Sequence, residues 1–78
     1  MRILFFAQVR QAVGRASVEI TLGEVDAAGL WQALIAMYPV LTEHRPHLRL
    51  ARNGRFADAG EHFFDRDEVA LIPPVSGG

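Results

Sequence analysis

The chemistry this chain can offer is concentrated at its end, where residues 73–78 read Pro73-Pro74-Val75-Ser76-Gly77-Gly78. Two prolines stiffen the exit from whatever precedes them and remove backbone donors. Ser-Gly-Gly has no side chain able to anchor the segment, so 73–78 is predicted to project as a tail. Fully extended, such a tail reaches about 20 Å. Paired glycines let the backbone enter a narrow channel in torsions closed to other residues, with the main-chain carboxyl of Gly78 carried at the tip.

Elsewhere the residue types that usually do chemistry are present but poorly arranged. His44 and His47 stand three apart, yet Pro46 interrupts a helix between them, and the sequence has no cysteine to complete a zinc site. No metal site is expected. Asp65, Asp67 and Glu68 lack the glycine-spaced ligand loop of calcium sites and are expected to form a solvated turn. Arg45, Arg49, Arg52 and Arg55 cluster locally without aromatic partners at stacking intervals, which suits a solvated surface or an acidic protein partner. The lack of cysteine also excludes a disulfide framework, a redox dithiol and a cysteine nucleophile. All the positive charge is arginine; a coding or thermostability bias is the plainer account of that, and the sharper one is that no lysine amine could then attack an activated acyl group near the tail.

The elements that must position the tail fit one domain. Seventy-eight residues, 50% hydrophobic and 22% charged, can bury a core, and disorder over most of the length is excluded on composition. A formal charge of -1 supplies no global field for phosphate backbones or anionic lipid. No apolar run approaches the roughly 18 residues of a membrane span. The opening Met1-Arg2-Ile3-Leu4-Phe5-Phe6-Ala7 meets Gln8 and Arg10 too soon for a signal peptide, so a cytoplasmic protein is expected.

Ile3 to Val9 has the length and composition of a buried strand, with Ile3, Phe5, Ala7 and Val9 on one face and Leu4 and Phe6 on the other. Ser17 to Leu22 alternates polar and apolar residues and predicts a half-buried strand, joined to the first as an antiparallel hairpin. Asp26 is a suitable cap for a helix whose apolar stripe is Leu30, Ala33, Leu34 and Met37, flanked by Trp31 and Ile35 and stopped by Pro39. Val40 to His47 reads as a loop or short turn. Asn53-Gly54 predicts a type I′ turn between strands at 48–52 and 55–57, Asp58 to His62 is turn-like, and 68–72 is a nearly continuous apolar strand. One helix covers one face of such a sheet, which makes the fold class α+β, with the β-grasp arrangement as the natural candidate. Its first and last strands would then be central, adjacent and parallel, with the helix as the crossover. The domain would span 1–72 and the tail 73–78. Both faces of the first strand are apolar, so the face away from the helix is either closed by 40–46 or offered to a partner, with Phe5, Phe6 and Leu71 as candidate interface residues.

The residues Leu4-Phe5-Phe6-Ala7-Gln8-Val9-Arg10 with Val13-Gly14, then Asn53-Gly54, then Asp67 through Gly78 carry a resemblance. Across almost the whole chain the sequence resembles the sulfur-carrier small subunits of molybdopterin synthase, a ubiquitin-like β-grasp family. Two positions depart from that pattern: Arg66 stands where glycine is usual, and Arg52 where an apolar residue is common.

The resemblance implies a non-catalytic subunit whose Gly78 carboxyl is adenylated with ATP by a ubiquitin-activating-like adenylyltransferase/sulfurtransferase, then becomes a thiocarboxylate. No cofactor would be bound permanently. The tail, Pro73 to Gly77 leading Gly78, would thread into the large catalytic subunit of a heterotetramer and donate sulfur to a cyclic pterin phosphate, forming the molybdopterin dithiolene. Physically, a carboxylate is a weak electrophile, and its mixed anhydride with AMP makes attack by sulfur feasible. A carrier for thiazole or another sulfur-containing product, and a ubiquitin-like module with an inert or amine-conjugated tail, are the alternatives.

Overall fold

The apolar run that opens the sequence changes conformation halfway. Arg2–Phe5 form strand β1 and Ala7–Val13 form helix α1, so the single strand expected through Val9 is corrected. Phe6 is still extended, and Ala7 turns the chain by taking φ 51°, a left-handed backbone that alanine seldom adopts. Val9 and Val13 then share one side of α1, and Val9 is buried in the core from a helix rather than from the sheet. An apolar run this short fits either element, and long-range packing decides.

The structure analysed is a computed structural model and describes residues 1–74, so the expectations for Val75, Ser76, Gly77 and Gly78 lie outside the described residues. After α1 come β2 (Ser17–Glu19), β3 (Val25–Asp26), α2 (Ala27–Met37) and α3 (Leu41–His44). A 3-10 turn (Arg45–His47), β4 (Arg49–Arg52), β5 (Arg55–Phe56), β6 (His62–Phe63) and β7 (Glu68–Ile72) follow. The sheet runs β2-β1-β7-β4-β5, with β7 parallel to β1 and antiparallel to β4. This is the expected α+β, β-grasp arrangement: the right-handed crossover that parallel neighbours require contains α2.

Local chemistry explains several elements. The Asp26 carboxylate accepts the Gly29 amide at 2.8 Å and caps α2, and a Cβ at Gly29 would stand 3.3 Å from that same oxygen, which is why glycine occupies the first turn. Asn53 and Gly54 take φ 51° and 87°, both positive as a type I′ turn demands. Pro46 sits near the start of its 3-10 turn, where a missing N–H costs nothing, so the segment expected as a loop or short turn forms two short helical turns over 41–47.

Three further expectations are corrected by packing. Met37, expected on the apolar stripe of α2, is 46% exposed, and the buried arc is Leu30, Leu34 and the flanking Trp31, which packs in the core as its size and apolar character suggest. β6 pairs with β3 in a separate two-stranded sheet where only a turn was expected. Asp67 is 3% exposed rather than solvated.

Ile3, Phe5, Val69 and Leu71 point from the sheet into the core, meeting Leu30 and Leu34 of α2, Leu41 of α3 and Phe63 of β6. The Phe5 and Tyr38 rings pack edge to face, 5.8 Å apart. Each such large buried side chain contributes about 1.5–3 kcal/mol.

Candidate functional site: the outer sheet face and the foot of the tail

Parallel pairing sets where the tail begins. Phe5 lies opposite Leu71, so Phe6 on one strand and Pro73 on the other leave the sheet at the same end. Pro73 is half-buried and Pro74 exposed. The tail thus starts at the centre of the sheet, beside its widest apolar face.

That face is the one away from α2. Across it run Leu4, Ala70, Ala51 and Phe56 in successive register, with Phe6 and Ile72 at the tail end. Alanines on the two strands between Leu4 and Phe56 leave a hollow of about 280 Å³ flanked by larger apolar groups. Phe6 and Phe56 are 44% and 51% exposed, and the Arg49 guanidinium stacks over the Phe56 ring at 3.8 Å. Exposed apolar surface with a charged rim is the usual form of a protein docking site.

Of the candidate interface residues, Phe6 is the one that faces outward. Phe5 and Leu71 are 1% and 0% exposed and belong to the core, because strand alternation in this register turns them toward α2. Leu4, Ala70, Ile72 and Phe56 take their place on the surface. The phase of β7 carried a signal for this: Glu68, Ala70 and Ile72 alternate with Val69 and Leu71, and the acidic Glu68 marks the outward set.

At the opposite end of β7 lies a polar network. Burial alone pushes the Asp67 carboxyl up, but hydrogen bonds from Arg52 Nε at 2.7 Å, Asn53 Nδ2 at 3.0 Å and the Phe64 amide at 2.8 Å outweigh it and hold the pKa at about 2. Asn53 Oδ1 accepts the Glu68 amide at 2.9 Å, which ties the hairpin turn to the start of β7. Arg52 also reaches Glu61 at 3.3 Å. Arg52 and Arg66, the two positions that depart from the family pattern, converge on one ring: their guanidinium carbons lie 5.3 and 5.6 Å from Phe64. Asp65 accepts the Leu22 and Gly23 amides at 2.8 and 3.0 Å. These carboxylates are structural clamps.

The arginine cluster is divided by the fold. Arg45 lies over Trp31 at 5.5 Å, Arg49 over Phe56, and Arg52 turns to Asp67. Among the described residues no three His, Asp or Glu side chains gather as a metal site would require, and no helix is long and apolar enough to cross a membrane.

The comparisons with known proteins agree with this architecture. The chain matches the ThiS family over residues 3–78. It is 36% identical over 81 residues to the molybdopterin synthase sulfur carrier subunit of Mycobacterium tuberculosis, covering 100% of this chain and 96% of that protein. It is 33% identical over 82 residues to small archaeal modifier protein 1 of Haloferax volcanii, covering 94% of each. A crystal structure of SAMP1 from Haloferax volcanii aligns with a TM-score of 0.86 at 31% identity, covering 100% of this chain and 98% of that one. A family match across nearly the whole length, with full-length relatives above 30% identity on the same topology, places the protein: the chain belongs to the ThiS family.

Proposed function

We propose that this protein is the sulfur carrier subunit of a molybdopterin synthase, a donor rather than a catalyst. The observation that carries the reading is that Pro73, where the terminal Pro73–Gly78 sequence begins, follows the central strand directly and leaves it beside an exposed apolar face that a partner enzyme can cover. The full-length relatives named as molybdopterin synthase sulfur carrier subunits support the pathway.

In this reading a carboxylate oxygen of Gly78 attacks the α-phosphorus of ATP on a ubiquitin-activating-like enzyme and pyrophosphate leaves. A sulfur nucleophile then attacks the Gly78 carbonyl, AMP leaves, and the end product is a thiocarboxylate. The large catalytic subunit next covers Leu4, Phe6, Ala70, Ile72 and Phe56 while Pro73 to Gly77 thread toward its active centre, where sulfur passes to the cyclic pterin phosphate. No permanently bound cofactor is needed on this chain, and ATP serves the activating enzyme.

The likeness to small archaeal modifier protein 1 favours one second reading, in which the activated carboxyl acylates an amine of another protein. The sequence has no lysine, and the Met1 amine is buried, donating to the Ile20 carbonyl at 2.6 Å, so an acceptor would be external. Intact mass spectrometry after incubation with ATP, activating enzyme and a sulfur source separates the two. A carrier replaces one oxygen by sulfur; a modifier appears in amide-linked adducts; a chain that does neither refutes both readings.

The docking part of the proposal is tested with Phe5→Asp and Phe6→Asp. Phe5→Asp is expected to unfold the domain, because it buries a charge with no partner. Phe6→Asp should remain folded by circular dichroism and lose calorimetric binding to the large subunit. Full binding by folded Phe6→Asp would exclude the outer face as the interface.

A further inference from the structure

Helix α1 presents Ala7, Arg10, Gln11 and Gly14 on the side opposite Val9 and Val13. Gly14 caps the helix with φ 85°, its amide bonded to the Arg10 carbonyl at 2.8 Å, and no atom would stand within 4 Å of a Cβ there. The left-handed cap reverses the chain, and Arg15 and Ala16 return beside the helix, held because the Ala16 carbonyl accepts the Phe5 amide at 2.8 Å. Two arginines therefore flank a floor made by Ala7, Gly14 and Ala16. With Arg10, Gln11 and Arg15 these small residues line a depression of about 560 Å³.

The charge in this depression is uncompensated. Residues 3–18 contain no aspartate or glutamate, and among the described residues neither Arg10 nor Arg15 makes an ion pair. Glu43 on α3, the acid on the helix packed against α1, forms none with either. Both arginines are exposed. By contrast Arg2 faces Glu19 and Glu68 across the register, and Arg52 pairs with Glu61 and Asp67.

Position makes the depression part of a larger surface. It begins at Ala7, the residue after Phe6, and Phe6 lines the outer apolar hollow. Because β1 and β7 are parallel, α1 starts at the end of the sheet from which Pro73 departs. A partner that covers the outer face and receives the tail must pass this corner.

We propose that the Arg10–Arg15 depression receives an acidic segment of the protein partner that covers the outer sheet face, its carboxylates held by the guanidinium forks. The inference rests on the docking reading given above and adds the charge of the partner to it. Guanidinium matches a carboxylate in a two-point geometry, and two such groups beside small residues leave room for aspartate or glutamate side chains to enter. An exposed cationic rim acts chiefly on the rate of association and is screened by salt. The corner would thus steer the approach, and the apolar face would hold the complex.

The test is surface plasmon resonance with the purified large subunit of molybdopterin synthase at low and near-molar salt. The variants are Arg10→Glu/Arg15→Glu, Arg66→Glu/Arg55→Glu as a control with the same change of charge at the opposite end of β7, and Phe6→Asp. The corner variant should associate about tenfold more slowly at low salt, converge on wild type at high salt, and dissociate within about twofold of it. The control pair should associate as wild type does. If the corner variant keeps wild-type rates and salt dependence while Phe6→Asp loses binding, the cationic corner is refuted and the docking face stands. An equal loss in the control pair assigns the effect to net charge and also refutes the corner. If wild type itself fails to bind, or Phe6→Asp binds fully, the docking reading falls and the corner falls with it.

Discussion

The two ends of strand β7 are built on opposite principles. At its start, Asp67 is buried and its carboxylate gathers Arg52, Asn53 and the Phe64 amide, so a hairpin turn, a loop and a strand are locked to one side chain. At its finish, Pro73 and Pro74 bring no backbone donors to the ladder, and the sequence beyond them is Val75-Ser76-Gly77-Gly78. The difference teaches how a small domain can present a chain terminus: the strand is anchored where it enters the sheet, so nothing is asked of it where it leaves. Stability is concentrated at one end, and the proposed chemistry lies beyond the other.

The strongest way to break this division is to extend the chain by one residue after Gly78. The reacting carboxyl becomes an amide, so thiocarboxylate formation and dithiolene synthesis should be abolished, while the melting temperature stays unchanged because no core contact is touched. Transfer by the extended chain without prior trimming would overturn the terminal-carboxyl mechanism. Next in size is Gly77→Val, which adds a stiff β-branched side chain at a position proposed to thread into the large subunit. Turnover with the large subunit should fall about a hundredfold, as misplaced reacting groups typically cost. The melting temperature should again be unmoved.

The converse substitution, Asp67→Ala, should leave chemistry and remove stability. It strands the Phe64 amide and the Arg52 and Asn53 donors, at a cost of about 2–4 kcal/mol. Calorimetry should register a fall in Tm of about 10 °C or more. Below its transition the variant should still form thiocarboxylate at the wild-type rate. A variant that melts like wild type would show that the network at the start of β7 carries no weight.

The smallest effect is a pH dependence, and its sign follows from the depressed pKa. Asp67 titrates at about 2 in the folded protein against an ordinary 3.8. The stability it contributes is therefore present above the ordinary value and lost as pH falls from about 4 toward about 2. Urea midpoints should drop across that window in wild type, and the drop should be smaller in Asp67→Asn. Equal slopes in the two proteins would remove Asp67 from the account of acid denaturation.

Much of this division was legible before any fold was known. The terminal Pro-Pro and Gly-Gly pairs are readable because their backbone properties are local. The Asp26 cap and the Asn53-Gly54 turn were readable for the same reason: each is settled by a hydrogen bond or a torsion within a few residues. Asp67 was misread as a solvated turn residue because its partners Arg52 and Asn53 come from the hairpin, 15 and 14 positions earlier, and no local pattern links them. Arg52 and Arg66 looked like unrelated departures, yet the fold brings both to the Phe64 ring.

By itself the sequence determined the class of fold, the order of the major strands and helix, and the terminal segment proposed to carry the reacting group. These depend on side-chain period, turn chemistry and composition, which are properties of short stretches of chain. Tertiary structure decided which face of β1 would be outward, because its apolar run is two-sided and only packing against α2 distinguishes Phe5 from Phe6. It decided that the chain after Phe5 turns into a helix, through a left-handed alanine no pattern reveals. It also decided that β3 and β6 pair, since two-residue strands have no period of their own and exist only where distant segments meet.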